Sequence, residues 1–375
     1  MPPLTEALAA SNFCKGAIDQ STESLQRMRR VMEAVGNPLE TLAASGSRFV
    51  HVTGTNGKGT VCSGLAARLQ SYRVGVFTSP CQRWPNDQIS ISGDIMPALE
   101  YEQQLKFIMR EAHQKGEVGL TNFEATTIAA FSWFARMRPL DFVIIEVGVG
   151  GRDDATNVLP KTDVAVLTGV ALDHVKFLGP TLEDICSAKC GIITPHTTTA
   201  VASGAYLNAS CLNIVKERCA STGTALRVVT GRGDSDDYKA HYAALEDEVL
   251  SALGVSHQQN HPSDTGTYLH TLRGRQELTH HPLNPTIPII LDGAHNEEGL
   301  RSLTHFIQRM LDQQRDITEV AAHPTIQSPH ELFPLFLKPF SVPIATVYPT
   351  TFRDVPEMPW VEAVDPEEAV TAARQ

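Results

Sequence analysis

The short apolar run Arg48–Thr53 (RFVHVT) passes directly into Gly54-Thr55-Asn56-Gly57-Lys58-Gly59-Thr60, and a helical stretch to Tyr72 follows. A second apolar run, Val74 to Thr78, completes a strand–helix–strand unit. Such a unit implies a parallel sheet, a right-handed crossover and a ligand site beyond the carboxyl ends of the strands. In the glycine-rich turn, main-chain N–H groups and the positive helix end can surround a polyphosphate, with Lys58 supplying charge. The spacing is not that of the ordinary Walker loop. No glycine stands five positions before Gly57, and Gly59 separates Lys58 from the hydroxyl of Thr60.

The rest of the chain extends this pattern. Asp141–Val147 (DFVIIEV) and Asp163–Thr168 (DVAVLT) are nearly continuous apolar runs, as a parallel sheet covered on both faces requires. Residues 22–35 and Phe123–Met137 read as helices. The signal weakens after about residue 195, and Gly254 to Pro288 reads as loop or linker. A strand at Ile287–Leu291 and an amphipathic helix from Glu297 to Asp312 restart the rhythm, so a domain boundary is expected near Asn284. Residues 321–340 read as a connection with a short helix. At 375 residues and 42% hydrophobic content, two domains, 1–284 and 285–375, each have enough apolar surface for a core.

The net charge is −11, from 31 Lys+Arg against 42 Asp+Glu, and no basic stretch suits a nucleic-acid backbone. No apolar run is long enough to span a bilayer, and Met1 to Gly16 lacks the pattern of a secretory signal. A soluble intracellular protein is expected. The seven cysteines (14, 62, 81, 186, 190, 211, 219) show no Cys-x-x-Cys pairing and read as reduced thiols. Cys186 and Cys190 could share a helix face, and their expected role is structural.

Glu146 stands out inside an apolar strand, where an unpaired carboxylate would cost several kcal/mol of desolvation. A magnesium ion, which takes one or two carboxylates along with phosphate oxygens and water, is one partner; Arg152 is the other. Asp173-His174 follows the next strand closely and could reach the same rim.

The motifs HVTGTNGKGTV, FTSP, TNFEATT, IIEVGVGGRDDATNV, LDH with a following LG and T, SAKCGI and LDGAHN occur in this order. Together they resemble the folylpolyglutamate synthase and dihydrofolate synthase family of the Mur-ligase superfamily. The likeness runs from about residue 22 to 195, returns at Gly274-Arg275 and Leu291–Asn296, and leaves a trace at Met358-Pro359-Trp360. It implies an α/β protein with a parallel-sheet, P-loop ATP-binding domain followed by a smaller, shortened Rossmann-like domain.

By the same resemblance, Gly54, Thr55, Asn56, Gly57, Lys58, Gly59 and Thr60 would bind ATP phosphates. Ser79 and Glu146 would hold one magnesium, and His174 and Lys189 would serve a second metal region, with Lys189 carbamylated. An ammonium there would repel Mg²⁺, whereas a carbamate is an anionic oxygen ligand. Arg275 would reach the phosphates, and Asp292 and His295 the nucleotide. Thr121, Phe123, Asp154 and Ala155 match a pterin pocket, and Phe123-Glu124 favours enzymes that add the first glutamate.

The implied reaction is ATP-dependent amide formation between the carboxylate of dihydropteroate, or a folate, and L-glutamate through an acyl phosphate. The expected setting is a cytoplasmic or mitochondrial monomer without nucleic-acid or membrane partners. Two alternatives stand beside it: a related ligase with another carboxylate substrate, and a non-catalytic homologue that binds nucleotide or pterin. Departures from the family pattern are Cys81-Gln82 for His-Leu, Asp87-Gln88-Ile89 for Glu-Arg-Ile, Ala188 for Glu and Asp153 for Leu. The family's Asp-Lys motif is not found in a second-domain strand, and the stretches after Lys189 and after Asn296 read as short.

Overall fold

A computed structural model of the chain describes residues 22–82, 84–117, 119–231, 238–255, 275–281, 284–294, 296–312, 319–322 and 346–347. It divides into two compact units, Met1–Gly233 with Lys239–Ser263, and Asp234–Tyr238 with Asp264–Gln375.

Among the described residues, the first unit starts with helices α1 (Thr22–Ala34) and α2 (Pro38–Ala44), then strand β1 (Arg48–Thr53), helix α3 (Lys58–Arg68) and strand β2 (Val74–Phe77). A hairpin, β3 (Ile89–Ile91) and β4 (Asp94–Ile95), precedes helices α4 (Ala98–Gln114) and α5 (Asn122–Arg136). Strands β5 (Phe142–Glu146) and β6 (Thr162–Leu167), short helix α6 (Val175–Leu178), helix α7 (Leu182–Lys189) and strand β7 (Thr197–Ser203) follow. Helix α8 (Ala209–Thr222), strand β8 (Ala225–Val229) and helix α9 (Tyr238–Ala252) complete the run.

The eight strands form one sheet in the order β4-β3-β2-β5-β1-β6-β7-β8. β2, β5, β1, β6, β7 and β8 are parallel, and the hairpin adds an antiparallel edge. β1 lies between β5 and β6, with Val52 beside Glu146 and Thr53 beside Leu167. The strand order therefore reverses at β1, and the crevice such a reversal opens lies at the carboxyl ends of β1, β5 and β6.

Near-continuous burial of β1, β5 and β6 explains their unbroken apolar sequences. One apolar cluster joins Phe49, Phe77, Val143 and Ile145 of the sheet to Met28, Leu42, Tyr101, Phe131 and Phe134 of the helices. Another joins Ala165, Leu167, Ala200 and Ala202 to Ile185, Cys186, Cys190, Cys211 and Val215. Each large side chain so buried contributes about 1.5–3 kcal/mol. The cysteines expected to be structural are so placed: the Cys186 and Cys190 sulfurs are 3.9 Å apart in this core.

The second unit contains β9 (Glu277–His281), β10 (Asn284–Asp292), helix α10 (Glu297–Asp312), β11 (Glu319–Ala322) and β12 (Thr346–Val347), in the sheet order β12-β11-β10-β9. β9 pairs antiparallel with β10, and β10, β11 and β12 are parallel. Asn284, near which a boundary is expected, is the first residue of β10, and Glu277–His281, within the stretch read as linker, forms β9 of the same sheet. β7, α8, β8 and α9 occupy the stretch in which the sequence signal weakens. Of the connection read over 321–340, residues 321–322 belong to β11 and the remainder lies outside the described residues.

Helix α5 starts with a reciprocal cap. Thr121 Oγ1 accepts from Glu124 N at 3.2 Å, and Glu124 Oε2 accepts from Thr121 N at 2.7 Å. Glu124 Oε1 also accepts from Ser24 Oγ at 2.5 Å and Arg27 Nη2 at 2.7 Å on α1, so a buried ion pair fixes where α5 begins. Removing one member of such a pair strands the other charge. Arg27→Met is expected to cost about 3 kcal/mol in chemical denaturation, and Arg27→Met/Glu124→Gln to recover a substantial part of it.

Candidate active site

At the carboxyl end of β1 the chain turns through backbone that only glycine tolerates. Gly54 has φ +153° and Gly57 φ +81°. A β-carbon at Gly54 would collide with the Thr168 hydroxyl, and one at Gly57 with the Tyr242 ring. Side chains then pin the turn. Thr168 Oγ1 donates to Asn56 O at 2.6 Å, Thr55 N donates to Gly169 O at 3.0 Å, and Thr55 Oγ1 accepts from Ala171 N at 3.0 Å. Gly57 caps α3, so the free N–H groups of its first turn lie beside Lys58. Lys58 Nζ folds back to donate to Thr55 O at 3.2 Å, and Thr60 is buried.

Glu146 ends β5, 4% exposed. Its Oε2 accepts from Ser79 N at 3.1 Å and would lie 3.4 Å from a β-carbon on Gly59. Ser79, Glu146 and the glycine-rich turn therefore share one place. Arg152, the alternative partner, directs Nη2 to Ser187 O at 3.0 Å and Ser187 Oγ at 2.9 Å.

Lys189, at the end of α7, is also buried, and its Nζ donates to Gly54 O at 2.8 Å. Burial and the neighbouring positive charge of Lys58 lower its pKa to about 7, against the opposing influence of Asp173, Cys186 and Asp154. His174 stands beside Asp173, with Nε2 3.9 Å from Oδ1, at a left-handed φ of +50°. The buried Glu146 carboxylate beside Ser79 and the glycine-rich turn suits a divalent cation, which takes one or two carboxylates together with phosphate oxygens and water.

Of the expected pterin residues, Phe123 and Asp154 meet. A β-carbon at Gly148 would lie 2.7 Å from Phe123 Cζ and 3.2 Å from Asp154 Oδ2. The half-buried Phe123 also packs 5.9 Å, centroid to centroid, from Phe77. Asp154 and Ala155 are buried. Asp154 Oδ1 accepts from Thr156 N at 2.9 Å and Thr156 Oγ1 at 2.5 Å, and Oδ2 accepts from Val149 N at 3.0 Å. Burial raises its pKa, and these donors oppose the rise. Thr121 is engaged in the α5 cap.

In the second unit, Arg275 is exposed, and Asp292, at the end of β10, accepts from Gln276 N at 2.7 Å and Ala294 N at 2.8 Å. His295 lies outside the described residues. Sequence reasoning missed Thr168 and Tyr242, which shape the glycine turn. Thr168 had the signal of a hydroxyl at a strand end, whereas Tyr242 lies on α9, whose role only its packing defines.

A family model described as the Mur ligase middle domain matches residues 52–249, and one described as the dihydrofolate synthetase C-terminal domain matches residues 276–375. Dihydrofolate synthetase of Saccharomyces cerevisiae is 33% identical over 374 residues, covering 92% of this chain and 84% of the relative. The chain belongs to the folylpolyglutamate synthase and dihydrofolate synthase family of the Mur-ligase superfamily. It is an ATP-dependent ligase. Its fold is that of Mycobacterium tuberculosis folylpolyglutamate synthase complexed with ADP, at TM-score 0.76 and 23% identity over 96% of this chain and 83% of that one. A bifunctional folylpolyglutamate synthase/dihydrofolate synthase solved with Mn, AMPPNP and L-glutamate bound aligns at TM-score 0.67 and 25% identity over 93% and 83% of the two chains. Among the described residues, no helix is long and apolar enough to cross a membrane.

Gly57 combines a left-handed backbone with direct contact to Tyr242, so no side chain fits there. Gly57→Ala is expected to weaken ATP binding at least tenfold and to cost about 1–2 kcal/mol of stability from backbone strain alone, measured by nucleotide titration calorimetry and denaturation.

Proposed function

We propose that this ligase joins the carboxylate of dihydropteroate to the amine of L-glutamate, acting as a monomer in the cytoplasm or mitochondrion. The observation that carries this reading is the meeting of Phe123 and Asp154 across Gly148, in the chain segment that continues from Glu146. An aromatic ring suits stacking on a flat heterocycle, and a carboxylate edge suits its amino-pyrimidinone side.

In the proposed reaction the substrate carboxylate attacks the γ-phosphorus of ATP, ADP leaves, and the glutamate amine then displaces phosphate to form the amide. The chain's own part is positioning and charge. The turn from Gly54 to Thr60 holds the phosphates and Lys58 offsets the charge that develops on the transferred group. Arg275, Asp292 and His295 are the candidate nucleotide residues of the second unit. Glu146 and Ser79 would hold a magnesium ion, with His174 and Lys189 serving a second. When bound, the metal neutralises phosphate charge and orients the transferred group.

Lys189 is proposed to react with CO₂, its neutral amine forming the N–C bond of a carbamate and releasing one proton. Its depressed pKa supports this, because only the unprotonated amine is nucleophilic. A carbamate retains an N–H, so the hydrogen bond to Gly54 O can persist.

The substrate reading is tested by phosphate release with ATP and Mg²⁺ across dihydropteroate, folates and other carboxylates, with and without L-glutamate. Dihydropteroate is expected to give the largest glutamate-dependent rate. If another carboxylate alone is turned over, the ligase remains and the folate substrate falls. Lys58→Ala is expected to reduce turnover more than a hundredfold while the unfolding midpoint moves little, because Lys58 lies at a partly exposed turn. Growth in ¹³C-bicarbonate is expected to give a carbamate carbon resonance that Lys189→Ala removes, with activity of that variant partly restored by a short carboxylate. An unlabelled, unmodified Lys189 in active enzyme would exclude the carbamate.

A further inference from the structure

His51 lies in the middle of β1, fully buried, at a position where an aliphatic residue would serve the sheet as well as its neighbours Val50 and Val52 do. Among the described residues its Nδ1 has no hydrogen-bond partner, a penalty for which packing offers no return. The other ring nitrogen, Nε2, is 2.8 Å from Thr156 Oγ1, and that hydroxyl donates to Asp154 Oδ1 at 2.5 Å. Proton counting fixes the direction of the chain. A hydroxyl has one hydrogen; Thr156 gives it to the carboxylate, so it accepts from His51, whose Nε2 carries a proton. Burial favours the neutral form, lowering the His51 pKa to about 3. Two residues further along β1, Thr53 Oγ1 donates to Gly150 O at 2.7 Å, so two side chains of the strand that leads into the glycine turn grip the loop that carries Asp154.

We propose that His51 is a positioning residue for the carboxylate substrate: through the Thr156 hydroxyl it orients the Asp154 carboxylate that faces Phe123 across Gly148. Asp154 Oδ1 is thereby committed to Thr156, while Oδ2, which accepts from Val149 N, lies on the Phe123 side. The inference rests on the pterin-pocket reading above and assigns it a support within the sheet.

The test compares Thr156→Val and His51→Leu, which break the chain, with Thr156→Ser and His51→Gln, which keep a hydroxyl and a donor. Breaking it is expected to raise KM for dihydropteroate about tenfold, the worth of one hydrogen bond to a charged group, with KM for ATP and kcat changed less than about twofold. The conservative variants are expected to stay near the parent. Equal effects on both KM values, an effect on kcat alone, or no effect would overturn the proposal. Thr156→Val is nearly isosteric and decides the matter if His51→Leu does not fold. If the parent turns over another carboxylate and not dihydropteroate, the substrate reading falls and the same comparison is made on that carboxylate. Ring ¹⁵N shifts, assigned with His51→Gln, need no substrate: protonated Nε2 with bare Nδ1 is expected, and protonated Nδ1 overturns the chain.

Discussion

The close backbone contact between the loop after β5 and the end of α7 holds the site together. Arg152 N donates to Ala188 O at 2.8 Å, and Asn157 Nδ2 donates to Arg152 O at 2.9 Å and Gly191 O at 3.2 Å. A β-carbon on Gly151 would lie 2.8 Å from Lys189 O, and one on Gly191 would meet the Arg152 backbone. The glycines permit an approach that brings the helix carrying Lys189 against the loop carrying Asp154. β1 grips the same loop through His51 and Thr53, so the glycine turn, the candidate metal carboxylate and the candidate pterin pocket share one support.

That support places ionisable groups where solvent does not screen them. Glu146, Asp154 and Lys189 are all buried, and each is held by main-chain groups: Ser79 N, Val149 N and Thr156 N, and Gly54 O respectively. Fixed dipoles replace water around each charge, and the groups need not reorganise when a charged ligand arrives. The lowered pKa of Lys189 follows from the same enclosure, with Lys58 as its nearby positive charge.

Much of this arrangement was legible from local sequence. The βαβ unit, the buried strands, the glycine turn and the isolated Glu146 all leave a signature within a few residues, because glycine spacing and apolar runs are local necessities. The β7–α9 region was not legible in the same way. β7 is TTTAVAS, with threonine and alanine where β5 has valine and isoleucine, and α9 mixes apolar and charged residues with little segregation. The strand at 277–281 (ELTHH) has no apolar period, and its pairing with β10 makes it a strand.

The sequence by itself determined the α/β class, the order of the first unit's leading elements, the glycine-rich turn and the isolated carboxylate of Glu146, since each depends on residue type and short spacing. Tertiary structure alone decided that Tyr242 closes over Gly57, that Lys189 reaches Gly54, and that His51 supports Asp154 through Thr156. These contacts join residues more than a hundred positions apart in the chain. Their geometry is set by strand register and close backbone approach, which no local pattern encodes.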